Sequence, residues 1–152
     1  MNESIFNERA AGWDTPQRVA RAEAVTRAIS NHVTLSREMA VMDFGAGTGL
    51  ITLGLSGLVG EITACDTSPR MLEELQAKAD SMGAANVRID PREPAGIAAS
   101  GKRFDLITSS MTLHHVADIP LLFREFHRLL NPGGMVALAD LASEQGDFHS
   151  DK

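Results

Sequence analysis

The segment Val41-Met42-Asp43-Phe44-Gly45-Ala46-Gly47-Thr48-Gly49-Leu50 limits what this chain can fold into more than any other stretch. A short apolar run ends in an acid, passes through three alternating glycines and then enters residues with helical periodicity. Glycine in such a loop permits positive φ and lets a ligand approach the backbone with no Cβ in the way. The helix that follows turns its unpaired N–H groups toward that ligand.

The rest of the chain repeats the alternation of apolar run, turn and helix. Strands are expected at residues 39–43, 61–66, 86–90, 104–109 and 135–140, the later four following Gly60, Gly83, Gly101 and the turn Asn131-Pro132-Gly133-Gly134. One helix is expected to start at Thr15 with Pro16 just inside, its inward stripe formed by Val19, Ala22, Thr26, Ile29 and Val33. A second covers residues 48–58. A third covers residues 68–82, with Ser68 as N-cap, Pro69 in the first position, and Leu72, Leu75 and Ala79 on one face. The last runs over about residues 118–130, with Leu122, Phe123, Phe126, Leu129 and Leu130 as the buried side. Residues 94–100 have room for a single helical turn at most. Such alternation requires parallel pairing and right-handed crossovers. The expected fold class is α/β, a doubly wound, mainly parallel sheet, with ligands beyond the carboxyl ends of the strands where strand order reverses.

Length and charge narrow the functions. At 152 residues the chain is one domain, and its 43% of hydrophobic residues excludes a disordered one. No apolar run approaches the ~20 residues of a membrane span. The 14 Lys and Arg against 20 Asp and Glu leave a net charge of −6 and no basic cluster, which argues against a nucleic-acid partner. Cys65 is the single cysteine, so no internal disulfide forms. The first residues carry Glu3, Glu8 and Asp14 without an apolar core, unlike a signal peptide, and a cytoplasmic location without membrane association is expected.

Two cofactor classes use a glycine loop of this kind. Dinucleotide binders want G-x-G-x-x-G, but Leu50 stands where the last glycine belongs and Gly49 comes one residue early. Taken alone, the triplet is equally compatible with a tight turn. Asp66, ending the second strand, strengthens the ligand reading, because a carboxylate there accepts from both hydroxyls of a ribose. Its other role is to cap the helix opening at Ser68, although Ser68 supplies a cap itself. Asp90 ends the third strand and suits an adenine exocyclic amine, or is a loop aspartate before Pro91. Asp43 suits an ammonium group through a water, or bonds the N–H groups of the glycine loop.

With these residues in view, the chain resembles the class I S-adenosylmethionine-dependent methyltransferases over about residues 4–150. The matching blocks are residues 41–50, 63–71 (Thr-Ala-Cys-Asp-Thr-Ser-Pro-Arg-Met), 104–116 (Phe-Asp-Leu-Ile-Thr-Ser-Ser-Met-Thr-Leu-His-His-Val) and 129–140 (Leu-Leu-Asn-Pro-Gly-Gly-Met-Val-Ala-Leu-Ala-Asp). Within the family it looks closest to small-molecule enzymes related to those of ubiquinone and menaquinone biosynthesis. The resemblance implies one S-adenosylmethionine-binding domain over residues 1–152 and methyl transfer to a small-molecule acceptor. It implies that Asp43 with Gly45, Ala46, Gly47 and Gly49 holds the methionine moiety, and that Asp66 takes the ribose. Thr67 and Met71 would flank the adenine, Asp90 would reach its amine, and the Ser109 carbonyl would meet the ammonium. Phe6 or Trp13 would close over the site. Pro91 departs from the pattern, having no N–H to offer the adenine ring. The family sheet continues past its fifth strand into an antiparallel hairpin, whereas this chain stops shortly after that strand. A C-terminally truncated chain without the hairpin is therefore expected, with self-association through the open fifth-strand edge.

Methyl transfer from a sulfonium is an in-line displacement in which the protein supplies position and electrostatics. That agrees with a sequence lacking a nucleophile elbow, a Cys/His pair or metal-ligand spacing; no metal is expected. His114 and His115, just past the fourth strand, are the expected general bases where the acceptor must lose a proton, their other role being to brace the loop or meet solvent. His149 would line an acceptor pocket. Cys65 and Met39, Met42, Met82, Met111 and Met135 read as core filler. Two further readings stand beside methyl transfer: a cofactor-binding module without chemistry, and an NAD-dependent oxidoreductase, which Leu50 opposes.

Overall fold

The structure, a computed structural model, describes residues 3–140. In chain order its elements are α1 (Glu3–Arg9), a 3-10 turn (Ala10–Gly12), α2 (Pro16–His32), β1 (Ala40–Phe44), α3 (Leu50–Ser56), β2 (Glu61–Cys65), α4 (Pro69–Met82), β3 (Val87–Ile89), α5 (Pro94–Ala99), β4 (Phe104–Ser110), a second 3-10 turn (Leu113–His115), α6 (Ile119–Leu129) and β5 (Leu130–Ala139). Three helices open on a side-chain oxygen that takes an otherwise unpaired N–H. Thr15 accepts from Arg18 at 3.3 Å, Ser68 from Met71 at 3.3 Å, and Asp118 from Leu121 at 3.0 Å. Each of these helices carries a proline in its first turn, where a missing N–H costs nothing.

The five strands form one parallel sheet in the order β3-β2-β1-β4-β5. The order reverses between β1 and β4, so the switch point lies beyond Phe44 and Ser109, which are direct partners in register. Alternation along the strands sends Val41, Ile62 and Leu106 to one face, where Ile29 of α2, Leu55 of α3 and Leu75 of α4 cover them. Met42, Phe44, Cys65 and Ile107 take the other face, against Ile97 of α5 and Leu122, Phe126 and Leu129 of α6. Asp105 ties three strands at their start: its carboxylate accepts from the Ala40 N–H at 2.9 Å and from the Asn131 amide at 3.0 Å. No helix among the described residues is long and apolar enough to cross a membrane.

The α/β fold and the doubly wound parallel sheet are as the sequence predicts, and several details differ. Helix α1 and the turn after it carry no apolar period of their own and take shape against α4. Helix α5 spans six residues rather than one turn, because Pro94, Ile97 and Ala98 are all buried. Strand β5 starts at Leu130, not 135. Its register against β4 jumps from Phe104↔Leu130 to Leu106↔Met135, so the Asn-Pro-Gly-Gly turn becomes a bulge inside the strand, with Gly133 at φ +79. Phe123 was expected inside, yet it is 43% exposed while Phe126 is 1% exposed, because α6 turns only one aromatic row toward the sheet. Met82 and Met135 are also exposed, at a helix end and on the sheet edge.

Phe126 packs edge-on against Phe44 with centroids 5.4 Å apart, at the base of the switch point. Phe126→Ala is expected to cost about 3–5 kcal/mol in urea unfolding, and Phe123→Ala within about 0.5 kcal/mol of zero. Equal losses at the two positions would show that the facing of α6 is misassigned.

Candidate functional site

Strand β1 delivers its backbone into the glycine loop at the switch point. Gly45, Gly47 and Gly49 all have positive φ, at +71, +58 and +86. Two of them are needed for close packing. A Cβ on Gly45 would collide with the Thr112 side chain, and one on Gly49 would lie 2.5 Å from Leu75 Cγ. Gly47 differs: among the described residues no atom lies within 4 Å of where its Cβ would point. The Ala46 N–H donates to the Cys65 carbonyl at 2.9 Å, which anchors the loop to the end of β2.

Three acids at the ends of the neighbouring strands β1, β2 and β3 stand in different electrostatic states. Asp43 is 1% exposed and accepts from the Thr52 hydroxyl at 2.6 Å. Burial pushes its carboxyl up to about 7, partly opposed by the Thr52 hydrogen bond and reinforced by the nearby Asp66. Asp66 accepts from the Gly47 N–H and from the Ser68 N–H, both at 2.8 Å. Burial raises its protonation range too, against the pull of those backbone donors. Asp66 thus braces the helix start, the capping role weighed from the sequence, while Ser68 remains its N-cap. Asp90 is gripped by Arg92, with Nε at 2.9 Å and Nη2 at 2.7 Å, and this side-chain hydrogen bonding holds its carboxyl below the ordinary range.

Beside Asp66 opens a cleft of about 470 Å³, walled by Thr67, Pro69, Leu72, Ile89 and Pro91. Met71, expected on that wall, is 1% exposed and does not line the cleft; from α4 the wall is built by Leu72, Glu73 and Gln76. Asp90 lies between two wall residues with its carboxylate turned to Arg92. Ser109 ends beside Phe44, in register with it at the foot of the loop.

Across the switch point the β4–α6 loop carries the two histidines. Thr112 Oγ1 donates toward the Gly45 carbonyl at 3.3 Å, and Met111 sits at φ +56, a left-handed conformation for a residue with a side chain. His114 Nδ1 is 2.7 Å from Asp140 Oδ1, and His115 packs on His114 with centroids 4.0 Å apart. Phe6 meets His115 edge-on at 5.5 Å and Trp13 at 5.7 Å, so the N-terminal segment lies at this rim. Asn7 accepts from the Ser68 hydroxyl at 2.6 Å. Asp14 binds the Thr48 hydroxyl and, at 2.7 Å, the Lys78 ammonium. His149 falls outside the described residues.

Sequence reasoning missed Asn7, Asp14, Thr52, Arg92, Thr112 and Asp140. Asp140 had a readable signal, an acid ending a strand as Asp43, Asp66 and Asp90 do. Arg92 stands two residues from Asp90. The others meet the site only through the fold.

A methyltransferase domain family matches residues 41–134. The ubiquinone biosynthesis O-methyltransferase of Azorhizobium caulinodans is 30% identical over 103 residues, which is 66% of this chain and 40% of that protein. The demethylmenaquinone methyltransferase of Staphylococcus aureus is 36% identical over 101 residues, 64% of this chain and 41% of its own length. The chain thus spans about two fifths of the length of these curated relatives. A SAM-dependent methyltransferase from Aquifex aeolicus shares the fold, with a TM-score of 0.76 at 22% identity, covering 93% of this chain and 76% of that one.

Asp43 supplies a pH test. Below about pH 4 it is protonated in folded and unfolded chains alike. Between there and about 7 only the folded chain keeps the proton, so its contribution to stability falls as pH rises. Asp43→Asn preserves an acceptor for Thr52 and removes that loss. Its thermal and urea stability should match wild type near pH 4 and exceed it by up to about 4 kcal/mol at pH 8, at about 1.4 kcal/mol per pH unit. A gap independent of pH would contradict the burial of this carboxyl.

Proposed function

The chain belongs to the methyltransferase domain family, and on that premise we propose that it transfers the methyl group of S-adenosylmethionine to a small-molecule acceptor. One observation carries the reading: Asp66, tied to the Gly47 N–H, stands between an open glycine loop and an apolar cleft of about 470 Å³. Such a cleft, with the hydrogen-bonded Asp66 carboxylate on the glycine-loop side and Glu73 and Gln76 on the helix side, suits a nucleoside, with the diol at Asp66 and the base against Leu72, Ile89 and Pro91. The open space over Gly47 suits an amino-acid tail laid along the backbone.

On this reading Asp43 and the loop from Gly45 to Gly49 hold the methionine moiety, and the Ser109 carbonyl meets its ammonium. Asp66 retains lone pairs for ribose hydroxyls, because a carboxylate accepts at about four positions. Thr67 lies beside the base. The adenine amine is left to Asp90 Oδ2, where Arg92 Nη2 occupies one of two lone pairs. When bound, the cofactor supplies an activated methyl group, so the residues here have only to orient the acceptor, exclude water and accept a proton where one leaves. His114 and His115 stand at the acceptor side for that last task, with Phe6 as a neighbouring wall. A cytoplasmic location accompanies this reading. So does self-association through β5, supported by the exposure of Met135, Val136 and Leu138; a sedimentation coefficient unchanged by Val136→Lys would remove that part.

Calorimetry with S-adenosylhomocysteine and with NAD tests the assignment. Saturable binding of the first and none of the second is expected. Asp66→Ala should weaken that binding by about 1.5–3 kcal/mol, roughly ten- to a hundredfold. Binding of NAD alone would overturn methyl transfer, and an unweakened Asp66→Ala would remove the ribose contact. Methyl transfer by the longer relatives but not by this chain would favour a binding module.

A further inference from the structure

We infer that Gln76 is a specificity-determining residue, its side-chain amide reading the N6–N7 edge of the adenine. This role rests on the methyl-transfer reading for the identity of the ligand and deepens it, because that reading leaves the base with a single acceptor.

Four residues of α4 wall the cleft: Pro69, Leu72, Glu73 and Gln76. They stand at i, i+3, i+4 and i+7, so they form one stripe along a single face of the helix. Asp66 and Thr67 lie at the start of that stripe. Gln76 is roughly 10 Å farther on, at about 1.5 Å of rise per residue from Pro69. A nucleoside whose diol meets Asp66 therefore carries its base toward Gln76. Leu72 on the helix side, and Ile89 and Pro91 at the end of β3, offer apolar surface to the faces of the ring. What remains to be recognised is the polar edge.

The β3 side reads that edge poorly. Pro91 has no N–H to give. The next one, that of Arg92, donates to Asp90 Oδ1 at 3.1 Å. The Arg92 guanidinium then takes both oxygens of the same carboxylate, with Nε 2.9 Å from Oδ1 and Nη2 2.7 Å from Oδ2. Asp90 is 6% exposed, and after these three bonds one lone pair of Oδ2 is left. It can hold one hydrogen of the adenine amine. The second amine hydrogen and the N7 lone pair must be met from elsewhere.

The far end of the α4 stripe supplies what they need. Adenine presents a donor at N6 beside an acceptor at N7, and a side-chain amide presents an acceptor beside a donor, so the two join through a pair of hydrogen bonds. Glu73 only accepts, and its carboxylate would face the N7 lone pair. Gln76 carries both groups. It is exposed, and its Nε2 donates to Asp80 Oδ1 at 2.8 Å. Because a carboxylate only accepts, that bond settles which way round the amide sits. It uses one N–H and leaves the other, together with two lone pairs on Oε1, for the base. A purine with a carbonyl in place of the amine would set oxygen against oxygen at Oε1, so the residue selects adenine.

Calorimetry with S-adenosylhomocysteine and with its 7-deaza analogue, in which a C–H replaces N7, isolates the contact. Wild type should bind the analogue about fivefold more weakly, as the loss of one hydrogen bond requires. Gln76→Ala has no amide and Gln76→Glu has no donor, so each should bind the two ligands alike. Both substitutions fall at an exposed helix position, where the fold tolerates them. Equal affinities in wild type overturn the proposal whatever the variants do, and so does a fivefold preference that survives in either variant. The wild-type titrations also keep the two readings apart. No binding of S-adenosylhomocysteine removes the methyl-transfer reading and the role of Gln76 with it, whereas saturable binding of both ligands at equal affinity removes the role of Gln76 alone.

Discussion

A carboxyl group buried at the foot of a glycine loop is the feature to which the rest of the crevice answers. Asp43 ends β1 under the loop, and taking its charge out of water is costly unless donors or a cation replace the solvent. The chain supplies one side-chain donor, Thr52. Its neighbour Asp66 is held more fully, by main-chain N–H groups of the loop and of the start of α4. Those donors are available only because Gly47 turns its N–H inward at positive φ and Ser68 opens a helix. The bareness of the loop and the survival of two acids beside it are thus one constraint. Asp90 shows the contrast: less deeply buried and with Arg92 at hand, the same kind of residue at the end of the next strand is held in its ionised form.

The glycine loop is locked to the β4–α6 loop by an equally simple fact of volume. Gly45 has no Cβ, and the Thr112 side chain occupies the room that one would fill. A glycine just after β1 and a threonine after β4 therefore fit as a pair, across the place where strand order reverses. Thr112 leads directly into Leu113 and His114, so the position of the histidines is coupled to the position of the loop through three consecutive residues.

Much of this was legible in the sequence, for local reasons. The helix starts are set by Thr15, Ser68 and Asp118 with a proline one or two residues on, and strand ends by acids and glycines, all signals carried within a few residues. Asp43, Asp66 and the glycine loop could be read because they are contiguous with those signals. What could not be read is what depends on distant partners. The Asn-Pro-Gly-Gly turn looks like a strand boundary, and only its pairing with Phe104 and Leu106 makes it a bulge. Phe123 and Phe126 are equally apolar, and only the position of the sheet chooses between them. Arg92 turned Asp90 from an open acceptor into one half of an ion pair, and nothing in a row of letters orients an arginine. Asp140 and His114 are 26 residues apart and meet only because β4 and β5 are neighbours.

The parts of the crevice also differ in how firmly they are held. The floor of the crevice rests on side chains such as Leu55, Leu75 and Phe126, each worth several kcal/mol through burial. The N-terminal segment at its rim is fastened by the Asn7–Ser68 hydrogen bond, by Asp14 with Thr48 and Lys78, and by the edge of Phe6 on His115. Single hydrogen bonds and half-exposed ion pairs of this kind contribute about 1 kcal/mol or less apiece. Opening free energies follow such differences, so the segment detaches long before the sheet does. Ser68 stands where the two regimes meet: its oxygen accepts from Met71 inside α4 while its hydroxyl donates outward to Asn7. Release of α1 therefore leaves the cap of α4 intact, and with it the backbone donors that hold Asp66. The rim can loosen while the acid that defines the crevice stays in place.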